Sequence, residues 1–313
     1  MYRSTSPIAL AEAPFESLDK TEVHVERLST DHQSEVLEFL SRRPVHTVTL
    51  VGFIRDNGLV NPLNRGTFYS CRNRAGLLEG VSLIGHATLM ETTTDRALEA
   101  FAELAKECFT AHMIMGESER IDYFWRQYEE GGRDMRLACR ELLYELKFPI
   151  EIRDPVPGLR QATLEELQLV IPVQAQMALE ESGTDPLEKD SAGFLERCAR
   201  RIQQGRTWVV VEDGVLLFKA DVVSETEDVA YLEGIWINPA NRGRNVGLRC
   251  MSQLGEILLA GKKSICLLVN EKNSRAHGFY QRAGYKFRGV YDTLFLSYTN
   301  PQRPTNTLNL HSM

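Results

Sequence analysis

The hexapeptide Arg242-Gly243-Arg244-Asn245-Val246-Gly247 sets two arginines and two glycines where a strand-like run gives way to a helical one. Helix-opening amides lack intrahelical acceptors, and the aligned peptide dipoles add roughly half a positive charge at that end. A pyrophosphate supplies what they lack. Gly243 and Gly247 allow close backbone approach, and Arg242 and Arg244 offer charged hydrogen bonds. Asn245 is of a type that tolerates left-handed dihedrals. Taken alone, the loop also reads as an ordinary strand-to-helix turn with solvated arginines.

The elements that must position this loop run from Leu232 to Gly284. A strand over 229–238 delivers the chain to Pro239, which ends pairing. Strict alternation predicts Tyr231, Glu233, Ile235 and Ile237 on one face, with Leu232, Gly234 and Trp236 on the other. A helix from Gly247, a strand over 264–269 and a helix from Asn273 follow. Asn270 and Asn273 read as a strand-end turn and a helix N-cap. Ala276 lies one turn behind Tyr280 on the same helix face, and His277 is expected to be exposed.

The remainder repeats an element order. The first half predicts a strand over 23–28, helices over 32–42 and 45–56, a hairpin over 67–84, and a strand over 87–91. It continues with a helix over 95–108, a strand over 112–115, a helix over 118–130 and an extended stretch over 135–146. Pro149, Pro155 and Pro157 mark a boundary. Beyond it come a strand over 159–162, a helix over 164–181 with Thr163 and Glu166 as capping box, and a helix over 192–204. A hairpin over 207–223 precedes the loop-bearing stretch, and strands over 286–291 and 294–298 close the chain. The expected organisation is a disordered tail at 1–20, domains at 21–150 and 155–300, and a flexible tail at 301–313. The first-half counterpart of the loop, Thr92-Thr93-Thr94-Asp95, has neither glycine nor arginine.

The second half resembles the GNAT superfamily of N-acetyltransferases, whose signature is an Arg-x-x-Gly-x-Gly/Ala loop. Asn270, Asn273, Ala276, Phe279-Tyr280 and Gly284-Tyr285 fall at that family's spacing, while Asn245 departs from its glycine. The whole chain is similar to bacterial proteins with a GNAT-like domain ahead of the acetyltransferase domain. Arg43-Pro44-Val45-His46 and Leu78-Glu79-Gly80-Val81 are among the matching stretches. The resemblance implies an α/β fold of two tandem GNAT-type acyl-CoA N-acyltransferase domains, each a mixed sheet flanked by helices. It implies acetyl-CoA as acyl donor, with no metal, and an amine of unknown identity as acceptor. By the same resemblance, Ile235, Trp236 and Ile237 leave backbone groups for the pantetheine arm. Arg242, Gly243, Arg244, Asn245, Val246, Gly247, Asn270, Asn273 and Ala276 would hold the cofactor. Glu233 takes the place of the general base and Tyr280 that of the general acid. Packing or ion pairing is the alternative for Glu233, and a core aromatic the alternative for Tyr280. A catalytically silent acyl-CoA sensor and a scaffold are the rival readings of the whole.

Composition limits the other classes. With 313 residues, 43% of them hydrophobic, the chain can bury two cores. A net charge of −7 argues against a phosphate-tracking nucleic-acid binder. Six cysteines without C-x-x-C spacing suggest neither a zinc site nor a disulfide framework, and they fit a reducing cytoplasm. No signal-peptide pattern or bilayer-length apolar run appears, so no membrane partner is expected. A homodimer is left open.

Overall fold

Apolar strands and the helices between them assemble into one twelve-stranded mixed sheet covered on both faces. The computed structural model describes residues 23–151 and 154–297; the tails expected at 1–20 and 301–313, and Tyr298, lie outside them. The first half runs β1 (His24–Arg27), α1 (Gln33–Ser41), α2 (Val48–Asn57), β2 (Gly66–Arg72), β3 (Leu78–Gly85), β4 (Ala87–Thr92), α3 (Asp95–Lys106), β5 (Met113–Glu117), α4 (Ser118–Tyr128) and β6 (Met135–Leu146). The second runs β7 (Arg160–Gln161), α5 (Leu167–Ser182), α6 (Pro186–Gln203), β8 (Thr207–Glu212), β9 (Val215–Glu225), β10 (Val229–Ile237), α7 (Val246–Leu259), β11 (Ser264–Asn270), α8 (Ser274–Arg282) and β12 (Lys286–Leu296).

The sheet order is β1-β2-β3-β4-β5-β12-β6-β11-β10-β9-β8-β7. The two halves therefore exchange their last strands. β12, from the end of the chain, lies antiparallel between β5 and β6, while β6 lies antiparallel to β11. Helices α1, α2, α5 and α6 cover one face, packing residues such as Leu40, Ile54, Val170 and Ile202 on the strands. Helices α3, α4, α7 and α8 cover the other, through Phe101, Phe124, Met251 and Tyr280. Helix α2 crosses from one half to the other. A side chain at Gly52 would come within 1.8 Å of Ser224 Oγ, and that hydroxyl donates to the Val48 carbonyl at 2.8 Å. No helix among the described residues is long and apolar enough to cross a membrane.

Two expectations are corrected and one is extended. The strands expected at 286–291 and 294–298 are one strand, β12, because pairing with β6 runs in unbroken register through Tyr291–Glu141, Asp292–Arg140, Thr293–Cys139 and Leu294–Ala138. The helix expected over 192–204 is the second part of α6, opened where Asp190 leaves helical geometry and its Oδ1 accepts from the Gly193 amide at 3.0 Å. The short helical stretch ahead of it from Pro186, capped by Asp185 through a 2.8 Å bond to the Leu187 amide, lies outside that expectation. The simple alternation along β10 fails at Gly234. Glu233 faces Asp221 and Trp236 faces Lys219, so β10 spends one extra residue there. Ile235 and Ile237 consequently pack with Leu232 against α7 and α8, while Trp236 turns to the side of α5.

Candidate active site

The bulge has a geometric consequence on the other edge of β10. Its pairing with β11 runs from Val229–Ser264 to Leu232–Leu267, and among the described residues no pair is formed beyond. Glu233 to Ile237 continue away from β11 and open a cleft of about 470 Å³ toward the start of α7. Ile235, Trp236 and Ile237 form one wall, Arg242, Gly243, Asn245, Val246 and Gly247 the end, and Asn273, Ala276 and Tyr280 the floor.

Four of the five end-wall residues have a local reason. Gly243 takes φ +80°, where an L side chain is strained but meets no atom within 4 Å. Asn245 takes φ +59° as the cap of α7, the left-handed geometry that its type tolerates. At Gly247 a Cβ would approach Ile237 Cδ1 to 2.2 Å, so glycine lets the first turn of α7 seat directly on β10. Arg242 Nε donates to the Ile237 carbonyl at 3.1 Å and ties the loop to the strand. On the floor, Asn273 Oδ1 accepts from the Ala276 amide at 3.1 Å and starts α8.

Tyr280 is 8% exposed, and its ring packs edge-on to Phe279 and Tyr285 at centroid distances of 5.2 and 5.7 Å. Among the described residues its hydroxyl has no protein partner, and burial pushes the phenol well above its ordinary range. Core packing and access to the cleft thus coincide in one residue. His277, expected to be exposed, is half-buried: Tyr144 lies beside its ring and shares a 3.3 Å bond with Nδ1, while Nε2 is 3.0 Å from the Glu271 carbonyl.

Three named residues stand outside this cleft. Arg244 is exposed beside it. Asn270 closes the turn after β11, its Oδ1 accepting from the Lys272 amide at 3.0 Å. Glu233 faces a second cleft, of about 450 Å³, between the halves. There it meets Tyr231, Glu141 from β6 and Glu181 from α5, opposite Phe53 of α2. Glu141 accepts a 2.7 Å bond from Thr293 Oγ1; desolvation, opposed by that bond and helped by the charge of Glu233, raises it to about 7. Desolvation in the cleft, then Glu233 and Glu141, raise Glu181 to about 8. Burial and then Glu233 hold the Tyr231 phenol well above its usual range.

Glu233 lines the second cleft and Ile235 the first, one residue either side of Gly234, and the end of α5 lines both. Met177 and Glu180 line the first cleft, and Ala178, Glu181 and Ser182 the second. Sequence reasoning missed these, together with Arg275 and Arg282 at the first cleft. The seven-residue interval between those arginines, two turns on one helix face, was a usable signal.

Comparisons with known proteins bear on this geometry. Residues 174–285 match the acetyltransferase (GNAT) family. That GNAT segment spans α5 from Gln174 through Tyr285 and so contains the whole first cleft. No curated protein matches the chain. Among solved structures, a Drosophila protein superposes with a TM-score of 0.63 at 12% identity, covering 88% of this chain and 99% of that one. A GCN5-related N-acetyltransferase from Sphaerobacter thermophilus gives a TM-score of 0.56 at 12% identity, covering 89% and 96%. A tandem GNAT protein from the clavulanic acid biosynthesis pathway gives 0.51 at 10%, covering 89% and 100%. At these identities the likeness is one of fold: a mixed sheet flanked by helices, shared with GNAT proteins that include a tandem one.

Proposed function

We propose that this protein is an acetyl-CoA-dependent N-acetyltransferase that transfers the acetyl group directly to an amine. The observation that carries this reading is the opening of β10 away from β11 after Leu232, toward the loop at the start of α7 and over the buried phenol of Tyr280, which has no partner among the described residues. In this reading the pyrophosphate lies on residues 242–247 and the pantetheine arm extends along Ile235 to Ile237. A backbone amide of that segment polarises the thioester carbonyl.

The amine approaches from the cleft between the halves. Its nitrogen forms a bond to the thioester carbon while the carbonyl electrons move to oxygen, and collapse expels the thiolate. Glu233, directly or through water, takes the proton that the attacking nitrogen must lose. Tyr280 gives its phenolic proton to the sulfur; its raised pKa keeps that proton in place until the thiolate forms. Asn273 and Ala276 shape the floor, while Arg242, Arg275 and Arg282 supply positive charge.

On this reading residues 155–300 are the acetyltransferase domain, and residues 21–150 a degenerate GNAT-type domain that provides a wall of the acceptor cleft. The experiment is release of free thiol from acetyl-CoA across a panel of amines. Amine-dependent release supports transfer, whereas saturable binding without release in any case would make the protein a sensor.

A further inference from the structure

We propose that Lys219 is a positioning residue: its buried ammonium holds the β10 bulge open and so sets the strand edge that receives the pantetheine arm. This rests on the cofactor reading above. Lys219 is 0% exposed and Asp221, two residues along β9, is 1% exposed. An ammonium has three protons to donate, and each has an acceptor here. Nζ lies 2.6 Å from Asp221 Oδ2, 2.7 Å from Gln174 Oε1 and 3.2 Å from the Gly234 carbonyl. Asp221 is held in turn by Thr207 Oγ1 at 2.8 Å and Arg201 Nη1 at 2.9 Å.

The placement follows from register. β10 advances three residues, Glu233 to Trp236, while β9 advances two, Asp221 to Lys219. The surplus residue turns a carbonyl toward the interior of the network, where an unpaired acceptor would be costly. Lys219 satisfies it. The glycine completes the fit: at Gly234 φ is +59°, and a Cβ would lie 2.7 Å from Lys219 Nζ and 3.1 Å from Asp221 Oδ2. Charged groups this deep are weak contributors to net stability, since well-packed apolar replacements are often neutral. What the ammonium does add is a fixed donor under one carbonyl, at the residue between Glu233 of one cleft and Ile235 of the other.

The test compares binding of acetyl-CoA with that of adenosine 3′,5′-bisphosphate, a probe of the phosphate-bearing end, which lacks the pantetheine arm. Calorimetry on the full chain is done with the wild type and Lys219→Met, in which Asp221 keeps Arg201 and Thr207. The expected result is an acetyl-CoA affinity lower by about tenfold, the scale of one lost hydrogen bond, with the bisphosphate changed by less than about twofold. General loosening would weaken both alike, and an unchanged ratio overturns the proposal. If Lys219→Met does not fold, Gly234→Ala disturbs the same bulge and is held to the same ratio. A wild type that binds neither probe overturns the cofactor reading and this inference with it; a wild type that binds while the variants keep its selectivity overturns this inference alone.

Discussion

The two halves build the same element order around opposite solutions at the equivalent gap. In the second half, β10 is bulged at Gly234 and leaves β11 to form an open cleft. In the first, β4 pairs with β5 from Ala87–Met113 to Leu89–Met115 and then also parts, but its register with β3 is unbroken. The mouth is filled by side chains. Arg120 of α4 donates to the carbonyl and hydroxyl of Thr92. Arg43 pairs with Glu91 at 3.0 Å and Glu117 at 2.7 Å, and Arg120 reaches Glu117 at 3.3 Å. The loop at 92–95 is engaged as well: Thr93 and Thr94 both bond to Glu79, which Arg96 also grips. The comparison teaches that a fold can keep the parting of the strands and still occupy the gap with its own ion pairs.

The largest effect is expected where the open side would be closed. Gly247→Val drives a side chain into Ile237, and titration should show acetyl-CoA affinity lower by 100-fold or more, on the order of 3 kcal/mol. On the filled side, Arg43→Met leaves Glu91 and Glu117 with fewer partners. Chemical denaturation should show a loss of roughly 1–2 kcal/mol, between the scales for exposed and buried pairs because Arg43 is half-buried, without the appearance of a second cofactor site. Tyr280→Phe should lower turnover by about 100-fold, the scale of acid–base catalysis, while leaving cofactor affinity in place. An unchanged rate would remove the phenol from the chemistry.

A pH series sharpens what the first half lends to the second. Glu141 is raised from 4.5 to about 7, so the folded chain holds a proton that the unfolded chain releases. Its stabilising contribution is whole below pH 4.5 and is lost as pH rises toward 7. Thermal melts of Glu141→Gln should therefore gain on the wild type across that window; curves that stay parallel would contradict the burial of this carboxylate. The smallest change is expected from Asn245→Gly, which relieves one left-handed residue: about 1 kcal/mol of strain at most, and an affinity gain below roughly fivefold in titration.

The element order was readable because local signals specify it: period-2 runs, capping residues, and Gly58 after α2 at φ +79°. The exchange of β6 and β12 was not, since periodicity says that a strand forms but not which strand it joins. The loop over 242–247, which ends the first cleft, was readable from glycine and arginine spacing. The second cleft was not, because Glu141, Glu181 and Glu233 are gathered from a strand of the first half, a helix and the edge of the bulge. Gly234 within a strand was the warning that alternation would break. Glu79 and Gly80 proved to serve packing: the carboxylate anchors the 92–95 turn, and a Cβ on Gly80 would press to 2.8 Å from Phe101.

The central claim is one cofactor cleft per chain, in the second half. Calorimetric titration of the intact protein with acetyl-CoA tests it most directly. The account predicts a single site, lost in Gly247→Val and retained in Arg43→Met. Two sites would show that the ion pairs of the first half yield to the cofactor, and none would contradict the assignment of the open cleft.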